Sequence, residues 1–333
     1  MKVIVTGGAG YIGATTVQSL LDAGHEVVVY DNLSKGYTGA VPDSAKLIKG
    51  EVGDREYVDR VLREERPEVV LHFAALIEAG ESMRAPEKYF RNNSASTLTL
   101  LESMLANGVS KFIFSSTAAL YGEPERTPIH EDDVLKPTNA YGESKLLVEH
   151  MLAWFHRIHG LRYASLRYFN AAGSNGCSGE LHDPESHLIP IILQAAAGKR
   201  EHVSVFGTDY PTPDGTCIRD YIHVSDLAEA HVLALEALDI RDKLIYNLGN
   251  GKGFSVREVI ESARRVTGKT IKAIESPRRP GDPAVLVAGS DKIKKELKWN
   301  PKHPNLDEIV ASAWEWMLKH PHGYAELANT RSS

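Results

Sequence analysis

The chain has 333 residues, of which 42% are hydrophobic and 25% charged, and its formal net charge is −6 at pH 7. This composition is typical of a globular protein with a sizeable core, and the acidic balance argues against a nucleic-acid-binding protein. Two cysteines, Cys177 and Cys217, are too few for a disulfide framework. The sequence shows no signal-peptide pattern at its start and no apolar run that approaches the length of a membrane span, so we expect a cytoplasmic protein.

The first half of the chain alternates short apolar runs with stretches of helical periodicity. The predicted strands are Val3–Thr6, Glu26–Tyr30, Leu47–Lys49, Glu68–Ala74, Lys111–Ser116 and Tyr163–Tyr168. The predicted helices are Tyr11–Ala23, Arg55–Glu65, Pro86–Asn107 and Tyr141–His159. Continuous apolar strands separated by helices are typical of a parallel sheet covered on both faces. The sequence therefore predicts an α/β fold with a Rossmann domain, a doubly wound parallel sheet, over residues 1–170.

The alternation stops after about residue 170. Residues 171–185 are rich in Gly, Ser and Pro, which predicts a loop. The strands and helices predicted beyond it are Val203–Phe206, Ser225–Leu238, Ile245–Leu248, Ser255–Thr267 and Leu306–Lys319. We therefore expect a smaller C-terminal α/β lobe over residues 171–325, which binds the substrate, while parts of residues 215–250 return to the parallel sheet.

A glycine-rich loop follows the first strand and opens the first helix. Gly8, Gly10 and Gly13 have the G-x-G-x-x-G spacing, and Gly7 starts an overlapping G-x-x-G-x-x-G. Glycines let backbone N–H groups approach a diphosphate at the positive end of a helix. Asp31 ends the second strand, where a carboxylate accepts the ribose hydroxyls of adenosine and repels a 2′-phosphate. A glycine turn with a helix-capping aspartate is the structural alternative, but the agreement of loop, strand, helix and acid favours NAD binding.

A second group of residues has the character of a catalytic site. Tyr141 and Lys145 are four residues apart, so on a helix they share one face, and a nearby ammonium ion should lower the tyrosine pKa from about 10. Tyr141 would then act as a base. Ser115, Ser116 and Thr117 end the fifth strand, where ligands bind in such sheets. A solvated helix face and a hydroxyl-capped strand end are the alternatives without function.

Several segments together resemble the extended short-chain dehydrogenase/reductase family. They are Thr6–Gly13, Asp31–Leu33, Phe114–Ala118, Tyr121–Gly122, Tyr141 with Lys145, and Leu166–Asn170. Three later segments resemble the branch of that family that epimerises UDP-hexoses, and they are Phe206–Val224, Tyr246–Gly249 and Arg278–Asp282. The resemblance extends from Lys2 to about Tyr324.

The resemblance implies an isomerase of galactose metabolism that interconverts UDP-glucose and UDP-galactose at carbon 4. Tyr141 would deprotonate the 4-hydroxyl while hydride passes to a permanently bound NAD, and hydride would return to the opposite face of the 4-keto sugar. Alternatives are 4-epimerisation of UDP-N-acetylglucosamine, UDP-glucuronate or a UDP-pentose, and a sugar-nucleotide dehydratase or oxidoreductase. The dehydratases of this fold carry an acid where this chain has Ala118 and Ala119.

The resemblance also assigns roles to individual residues. The implied catalytic residues are Tyr141, Lys145 and Thr117. The implied cofactor-binding residues are Gly7, Gly10, Tyr11, Ile12, Gly13, Asp31, Asn32, Glu51, Val52, Phe73, Ala74, Ala75, Asn93, Ser115, Tyr141, Lys145 and Tyr168. The implied substrate-binding residues are Thr117, Asn170, His187, Leu188, Phe206, Arg219, Tyr221, Arg279 and Asp282.

Four positions depart from the pattern of the family. Glu51 stands where much of the family has an aspartate near the adenine, and Ile77 where a lysine often lies near the NAD phosphates. His187 replaces a common asparagine beside the sugar. Leu286 occupies a position where a tyrosine excludes acetamido sugars, so the preferred UDP-sugar stays open.

The remaining expectations concern metals and partners. The histidines form no familiar zinc spacing, so no metal site is predicted. The resemblance implies a homodimer in which the two long helices, Pro86–Asn107 and Tyr141–His159, pair across a two-fold axis. Neither a nucleic acid nor a membrane is an expected partner.

Overall fold

A computed structural model of the protein describes residues 1–279 and 282–324. Its strands are β1 (Lys2–Thr6), β2 (Glu26–Asp31), β3 (Lys46–Lys49), β4 (Val69–His72), β5 (Lys111–Thr117), β6 (Arg162–Tyr168), β7 (Asn170–Ala172), β8 (Val203–Phe206), β9 (Ile218–His223), β10 (Lys243–Leu248), β11 (Gly253–Ser255), β12 (Ala273–Ser276) and β13 (Val285–Leu286). Its helices are α1 (Tyr11–Asp22), α2 (Arg55–Glu65), α3 (Ala79–Ser82), α4 (Pro86–Tyr89), α5 (Ser96–Ala106), α6 (Ala140–His159), α7 (Leu188–Ala196), α8 (Val224–Ala237), α9 (Val256–Thr267), α10 (Asp291–Leu297) and α11 (Leu306–Lys319). Among these helices, none combines the length and the apolar character that a bilayer crossing needs.

Seven strands form one sheet in the order β10-β6-β5-β4-β1-β2-β3, and every pair in it is parallel. Strands such as β1 and β4 are buried along almost their whole length, because helices cover both faces of the sheet. The chain moves outward from β1 in one direction to β3 and in the other to β10, so the topology switches between β1 and β4. This architecture confirms the predicted α/β Rossmann fold, and ligands of such sheets bind at the switch point.

Two predicted elements of this region differ from the structure. The strand predicted over Glu68–Ala74 ends at His72, because the amides of Phe73 and Ala74 both turn to the carbonyl of Thr6, at 2.8 and 3.1 Å. The long helix predicted over Pro86–Asn107 contains a π-helical segment, Phe90–Ala95, between α4 and α5. Such segments are common at functional sites.

The second region is built around β9. β9 pairs with β7 and β13 in parallel and with β11 in antiparallel fashion, and β8 pairs with β12 separately. Helices α7, α9 and α11 enclose its hydrophobic core. β10 joins the large sheet beside β6, and α8 packs against α1. Segments that follow residue 170, the predicted boundary between the two domains, therefore lie in both regions of the molecule.

The sequence pattern did not predict several elements of the β9 region. The helix α7 follows a Gly- and Ser-rich loop, and strands such as β9, β11 and β13 are short. β11 and β13 have too few residues to show a period of two, and the residues of β9 do not alternate between apolar and polar. These elements are defined by pairing between distant segments, which a local pattern does not contain.

Candidate active site

A cleft opens at the carboxyl ends of the parallel strands, beside the switch point. Its volume is about 330 Å³, within the range of small-molecule sites. Sixteen of the predicted cofactor-binding residues line it: Gly7, Gly10, Tyr11, Ile12, Gly13, Asp31, Asn32, Glu51, Val52, Phe73, Ala74, Ala75, Ser115, Tyr141, Lys145 and Tyr168. The structure thus brings together residues from the ends of six strands, β1 to β6. Their individual roles stay predictions.

The glycine loop is packed too tightly for side chains. Gly7 has φ +74°, and a Cβ there would lie 2.4 Å from the nitrogen of Ala74. A Cβ on Gly13 would lie 2.2 Å from the carbonyl oxygen of Gly7. Gly10 caps α1 without any side-chain hydrogen bond, so the first N–H groups of the helix face the cleft unscreened. This geometry suits a diphosphate at the helix N-terminus.

Asp31, the last residue of β2, lies against the glycine loop. Its Oδ2 accepts the backbone N–H of Ala9 at 3.0 Å, and its Oδ1 accepts that of Leu33 at 2.8 Å. Burial raises the pKa of Asp31, and these two hydrogen bonds partly counter it. Each carboxylate oxygen keeps a second lone pair for a ribose hydroxyl. The side-chain nitrogen of Asn32 donates to both oxygens of Glu51, at 3.1 Å each, so the longer acid at position 51 fixes its neighbour.

Asn93 lies behind the cleft lining. Its amide accepts from the N–H of Leu76 at 2.9 Å and donates to the carbonyl of the same residue at 3.0 Å. It also donates to the hydroxyl of Ser144 at 3.0 Å. Asn93 is 2% exposed and lies in the π-helical segment. It therefore ties the loop after β4 to α6, and its predicted contact with a cofactor stays a prediction.

Tyr141 and Lys145 share one face of α6, next to the end of β5. Lys145 is 2% exposed, donates to the carbonyl of Ser115 at 3.0 Å and lies 4.9 Å from the ring centroid of Phe114. Burial lowers the pKa of Lys145 to about 7. Burial also raises the pKa of Tyr141, and the hydroxyl of Thr117 offsets this only in part. The prediction that Lys145 lowers the pKa of Tyr141 is wrong for the protein by itself, because desolvation dominates at both groups.

The hydroxyls of Ser115 and Tyr168 are hydrogen-bonded to each other at the floor of the cleft. Thr117 accepts the backbone N–H of Ala119 at 3.1 Å, which fixes its side chain at the start of a short 3₁₀ turn, Ala118–Tyr121. Hydroxyl groups from three elements therefore face the same space. An arrangement of this kind can pass a proton between an alcohol substrate and Tyr141.

The predicted substrate-binding residues fall into two groups. Thr117, Asn170 and His187 line the cleft. The other six lie outside its lining, and they are Leu188, Phe206, Arg219, Tyr221, Arg279 and Asp282. Strand β7 connects the groups, because Asn170 is paired with Tyr221 on β9 and its amide donates to the carbonyl of Asp220 at 3.2 Å.

The second group forms a cationic surface beside β9. Arg219 is ion-paired with Asp282, and the guanidinium of Arg279 lies 4.0 Å above the ring centroid of Phe206. Pro280 and Gly281, which belong to the segment Arg278–Asp282 that resembles the family, lie outside the described residues. Two guanidinium groups beside an aromatic ring can bind a phosphorylated base.

A charged cluster that sequence reasoning did not assign lies at the substrate side of the cleft. His187 Nδ1 lies 2.9 Å from Glu180 Oε1 and 3.1 Å from Glu185 Oε1, and His182 lies 3.4 Å from Glu180. Burial alone would lower the pKa of His187, but the charge of Glu180 outweighs it and the pKa rises to about 10. His187, the position where the family often has asparagine, is thus a cation here. Glu180, His182 and His187 are close enough to hold a metal ion, so the expectation of no metal stays a prediction.

Lys35 and Glu78 also line the cleft and escaped sequence reasoning. The ammonium group of Lys35 donates to the carbonyl of Asp183 at 2.7 Å and lies 3.7 Å from Glu78. Lys35 follows Asp31 closely in the sequence, and its neighbour Tyr37 donates its N–H to Ala9 of the glycine loop at 2.9 Å. Lys35 therefore supplies a positive charge in the cleft that contains the glycine loop. Ile77 occupies the position where the family often has a lysine.

The chain is similar to known proteins along most of its length. The chain matches the NAD dependent epimerase/dehydratase family over residues 3–249. It belongs to that family. It is 53% identical over 328 residues to the UDP-glucose 4-epimerase of Halalkalibacterium halodurans, with 98% of each chain covered.

Solved structures of similar proteins agree in fold over nearly the whole chain. The UDP-glucose 4-epimerase from Brucella ovis, solved in complex with NAD, is 45% identical with a TM-score of 0.92, and the match covers 94% of this chain and 97% of that one. The UDP-glucose 4-epimerase from Bifidobacterium longum, solved with NAD+ and UDP, is 39% identical with a TM-score of 0.93, covering 97% of this chain and 100% of that one. Membership of this family makes NAD the cofactor of the protein.

Proposed function

We propose that the protein catalyses the reversible 4-epimerisation of UDP-glucose and UDP-galactose through a 4-keto sugar, with NAD held throughout the cycle. The observation that carries this proposal is the meeting of Tyr141, Lys145 and Thr117 at the end of β5, in the same cleft as the glycine loop and Asp31. The NAD-dependent epimerase family and the names of the similar proteins support the same reaction.

The residues of the cleft fit NAD. The backbone N–H groups at the start of α1 would hold the diphosphate, and Asp31 would accept the adenosine ribose hydroxyls. Lys145, fixed by Ser115, would hold the nicotinamide ribose. When bound, NAD supplies a hydride acceptor and a positively charged ring.

Tyr141 would exchange a proton with O4 of the sugar. Burial raises the pKa of Tyr141, so a positive charge beside the phenol is needed to favour the phenolate. Thr117 would orient the sugar hydroxyl toward Tyr141. The same pair would return the proton when the 4-keto sugar is reduced on its other face, so the residues end each turnover unchanged.

The β9 region would hold the nucleotide. Arg219 and Arg279 would take the charge of the diphosphate, with Phe206 and Tyr221 beside the uridine. Asn170 and His187, which line the cleft, would contact the sugar. The similar protein from Bifidobacterium longum, solved with UDP, is consistent with a uridine nucleotide as ligand.

A dehydratase on this fold needs an acid next to the hydroxyl residue of β5. In this chain Ala118 and Ala119 follow Thr117 and start the 3₁₀ turn. The 4-keto sugar therefore meets no additional proton donor at these positions, which favours return of hydride over elimination.

We also propose that the protein is a homodimer that works in the cytoplasm. Trp154 and Ile158 on α6 are 59% and 63% exposed, and they lie four residues apart on one face of the helix. An apolar helix face of this kind suits pairing with a second copy. The two cysteines are unpaired, as expected in a reducing compartment. Light scattering of the wild type and of a Trp154→Glu, Ile158→Glu variant tests the dimer, which the variant should dissociate.

The experiment that tests the reaction is incubation of the purified protein with UDP-galactose without added NAD, followed by proton NMR of the anomeric signals. We expect UDP-glucose to form, and the same equilibrium to be reached from UDP-glucose. Formation of UDP-glucose only after NAD is added would show a weakly held cofactor. Absence of conversion under both conditions would overturn the proposed reaction.

A further inference from the structure

Helix α6 is tied to β5 at two consecutive residues of the strand. Tyr141, Lys145 and Glu149 follow one another at intervals of four, so they lie along one face of the helix. Lys145 donates to the carbonyl of Ser115 at 3.0 Å, and the hydroxyl of Ser116 donates to Glu149 at 2.6 Å. The distance between the helix and the strand end is thus set by two short hydrogen bonds.

Ser116 contacts α6 on the face of β5 that points away from the cleft. Side chains alternate along a strand, and Ser115 and Thr117 line the cleft, so Ser116 between them points to the other face. It is 1% exposed. Its bond to Glu149 therefore acts on the part of the backbone that presents the two hydroxyls.

Arg167 on β6 completes the contact. Its guanidinium binds both oxygens of Glu149, at 3.0 and 2.6 Å, and also donates to the hydroxyl of Tyr121 at 2.9 Å and to the carbonyl of Glu131 at 3.1 Å. Arg167 is 3% exposed and Glu149 is 7% exposed. Arg167 pairs with Ser116 in the sheet register, so the group links α6, β5 and β6.

A buried ion pair of this kind contributes little to stability. Removing two charges from water costs about as much as their attraction returns, and apolar residues of similar volume often serve equally well. Each side-chain nitrogen and oxygen of Ser116, Glu149 and Arg167 nevertheless has a hydrogen-bond partner, which specifies one relative position of the elements they join. That position is the one on which the contact between Tyr141 and Thr117 depends.

We propose that Ser116, Glu149 and Arg167 are positioning residues that keep α6 at a fixed distance from the end of β5, and thereby keep Tyr141 and Thr117 aligned on the sugar hydroxyl. They touch neither the substrate nor the cofactor. The inference rests on the proposed epimerisation, because the alignment is measured through that reaction. A displacement of about 1 Å in such a pair is enough to cost a large factor in rate.

The test is the substitution Ser116→Ala, with Ser165→Ala as the matched control. Ser165 is a fully buried serine on the neighbouring strand β6, and its hydroxyl has no hydrogen-bond partner among the described residues. We expect Ser116→Ala to lower kcat about tenfold. We expect KM for UDP-galactose, the NAD content and the melting temperature to stay near those of Ser165→Ala, whose kcat should equal that of the wild type.

A second variant tests whether the network acts through the position of α6 or through its buried charges. Glu149→Leu combined with Arg167→Met removes both buried charges, so the core can remain folded. We expect a kcat at least as low as that of Ser116→Ala, with NAD still bound and KM unchanged.

The proposal is overturned if Ser116→Ala keeps the wild-type kcat. It is also overturned if the loss of kcat in Ser116→Ala comes with an equal loss of NAD or a lower melting temperature, since the network would then serve only the fold. The wild type is measured beside the variants, so a failure of the proposed reaction itself appears as an inactive wild type and is not confused with either result.

Discussion

The two halves of the molecule carry their chemistry in different ways. In the parallel sheet, the candidate functional residues follow directly after regular strands, as Gly7–Gly13 follow β1. Residues of this site that are close in the sequence are therefore also close in the structure. In the β9 region, the candidate residues come from short segments joined by long-range pairing, as in the ion pair of Arg219 with Asp282. A site on regular elements can be predicted from local pattern, whereas a site on irregular segments needs the assembled structure.

The comparison is tested most strongly at Tyr141, the proposed base, which belongs to the regular half. Tyr141→Phe removes the hydroxyl that would accept the proton and keeps the aromatic ring. We expect kcat to fall by about 10³, because general acid–base groups contribute about 10²–10⁴. The NAD content, measured after denaturation of the purified protein, should not change. A variant with more than a tenth of the wild-type kcat would exclude Tyr141 as the base.

The glycine loop tests whether the regular half alone holds the cofactor. Gly13→Ala places a Cβ 2.2 Å from the oxygen of Gly7, so the loop and α1 must move apart. We expect the purified variant to lose most of its NAD and about 1–3 kcal/mol of stability. Gly80→Ala is the control, since a Cβ there meets nothing within 4 Å. Equal NAD content in both variants would contradict the assigned diphosphate site.

A substitution in the β9 region should weaken the binding of UDP and leave the binding of NAD unchanged. Arg219→Met removes one of the two cations assigned to the UDP diphosphate and keeps most of the side-chain volume. We expect the dissociation constant of UDP to rise about tenfold or more, from the loss of a charge-assisted hydrogen bond, with NAD still bound. Calorimetric titration with UDP measures this, and Arg257→Met, which removes an exposed pair with Glu275, is the control. If Arg219→Met lost NAD while it kept UDP, the division of labour between the halves would be wrong.

The sequence alone predicted most of the regular half. In the other half it predicted β8, α9 and α11 but not α7 or the short strands around β9. The period of the strands, the glycine spacing and the Tyr141–Lys145 spacing are local properties, so the sheet and these residues could be placed in advance, whereas most of the other cleft residues were implied by the resemblance to the family. The raised pKa of Tyr141 could not, because it depends on how many atoms surround the phenol. Glu180 was missed for the same reason: its partners, His182 and His187, become informative only when the loop is folded.

The cluster of Glu180, His182 and His187 should give the smallest effect on stability. This effect depends on His187, which stands where the family often has asparagine. The pKa of His187 rises to about 10 and that of Glu180 falls to about 2, the latter because the charges of His187 and His182 outweigh burial. A raised histidine pKa stabilises the fold fully below its unfolded value of about 6.5, and this is lost as the pH rises toward 10. A depressed glutamate pKa stabilises above about 4.5, and this is lost as the pH falls toward 2.

The pair should therefore stabilise the protein most between about pH 4.5 and 6.5. The His187 side chain is 40% exposed, so solvent screening keeps the gain small. We expect the melting temperature of the wild type to exceed that of His187→Asn by about 2 °C at pH 6, and the difference to shrink steadily toward pH 9. A difference that stayed constant or grew with pH would mean that His187 is neutral in the fold. The irregular half would then hold its substrate without the cation assigned to it here.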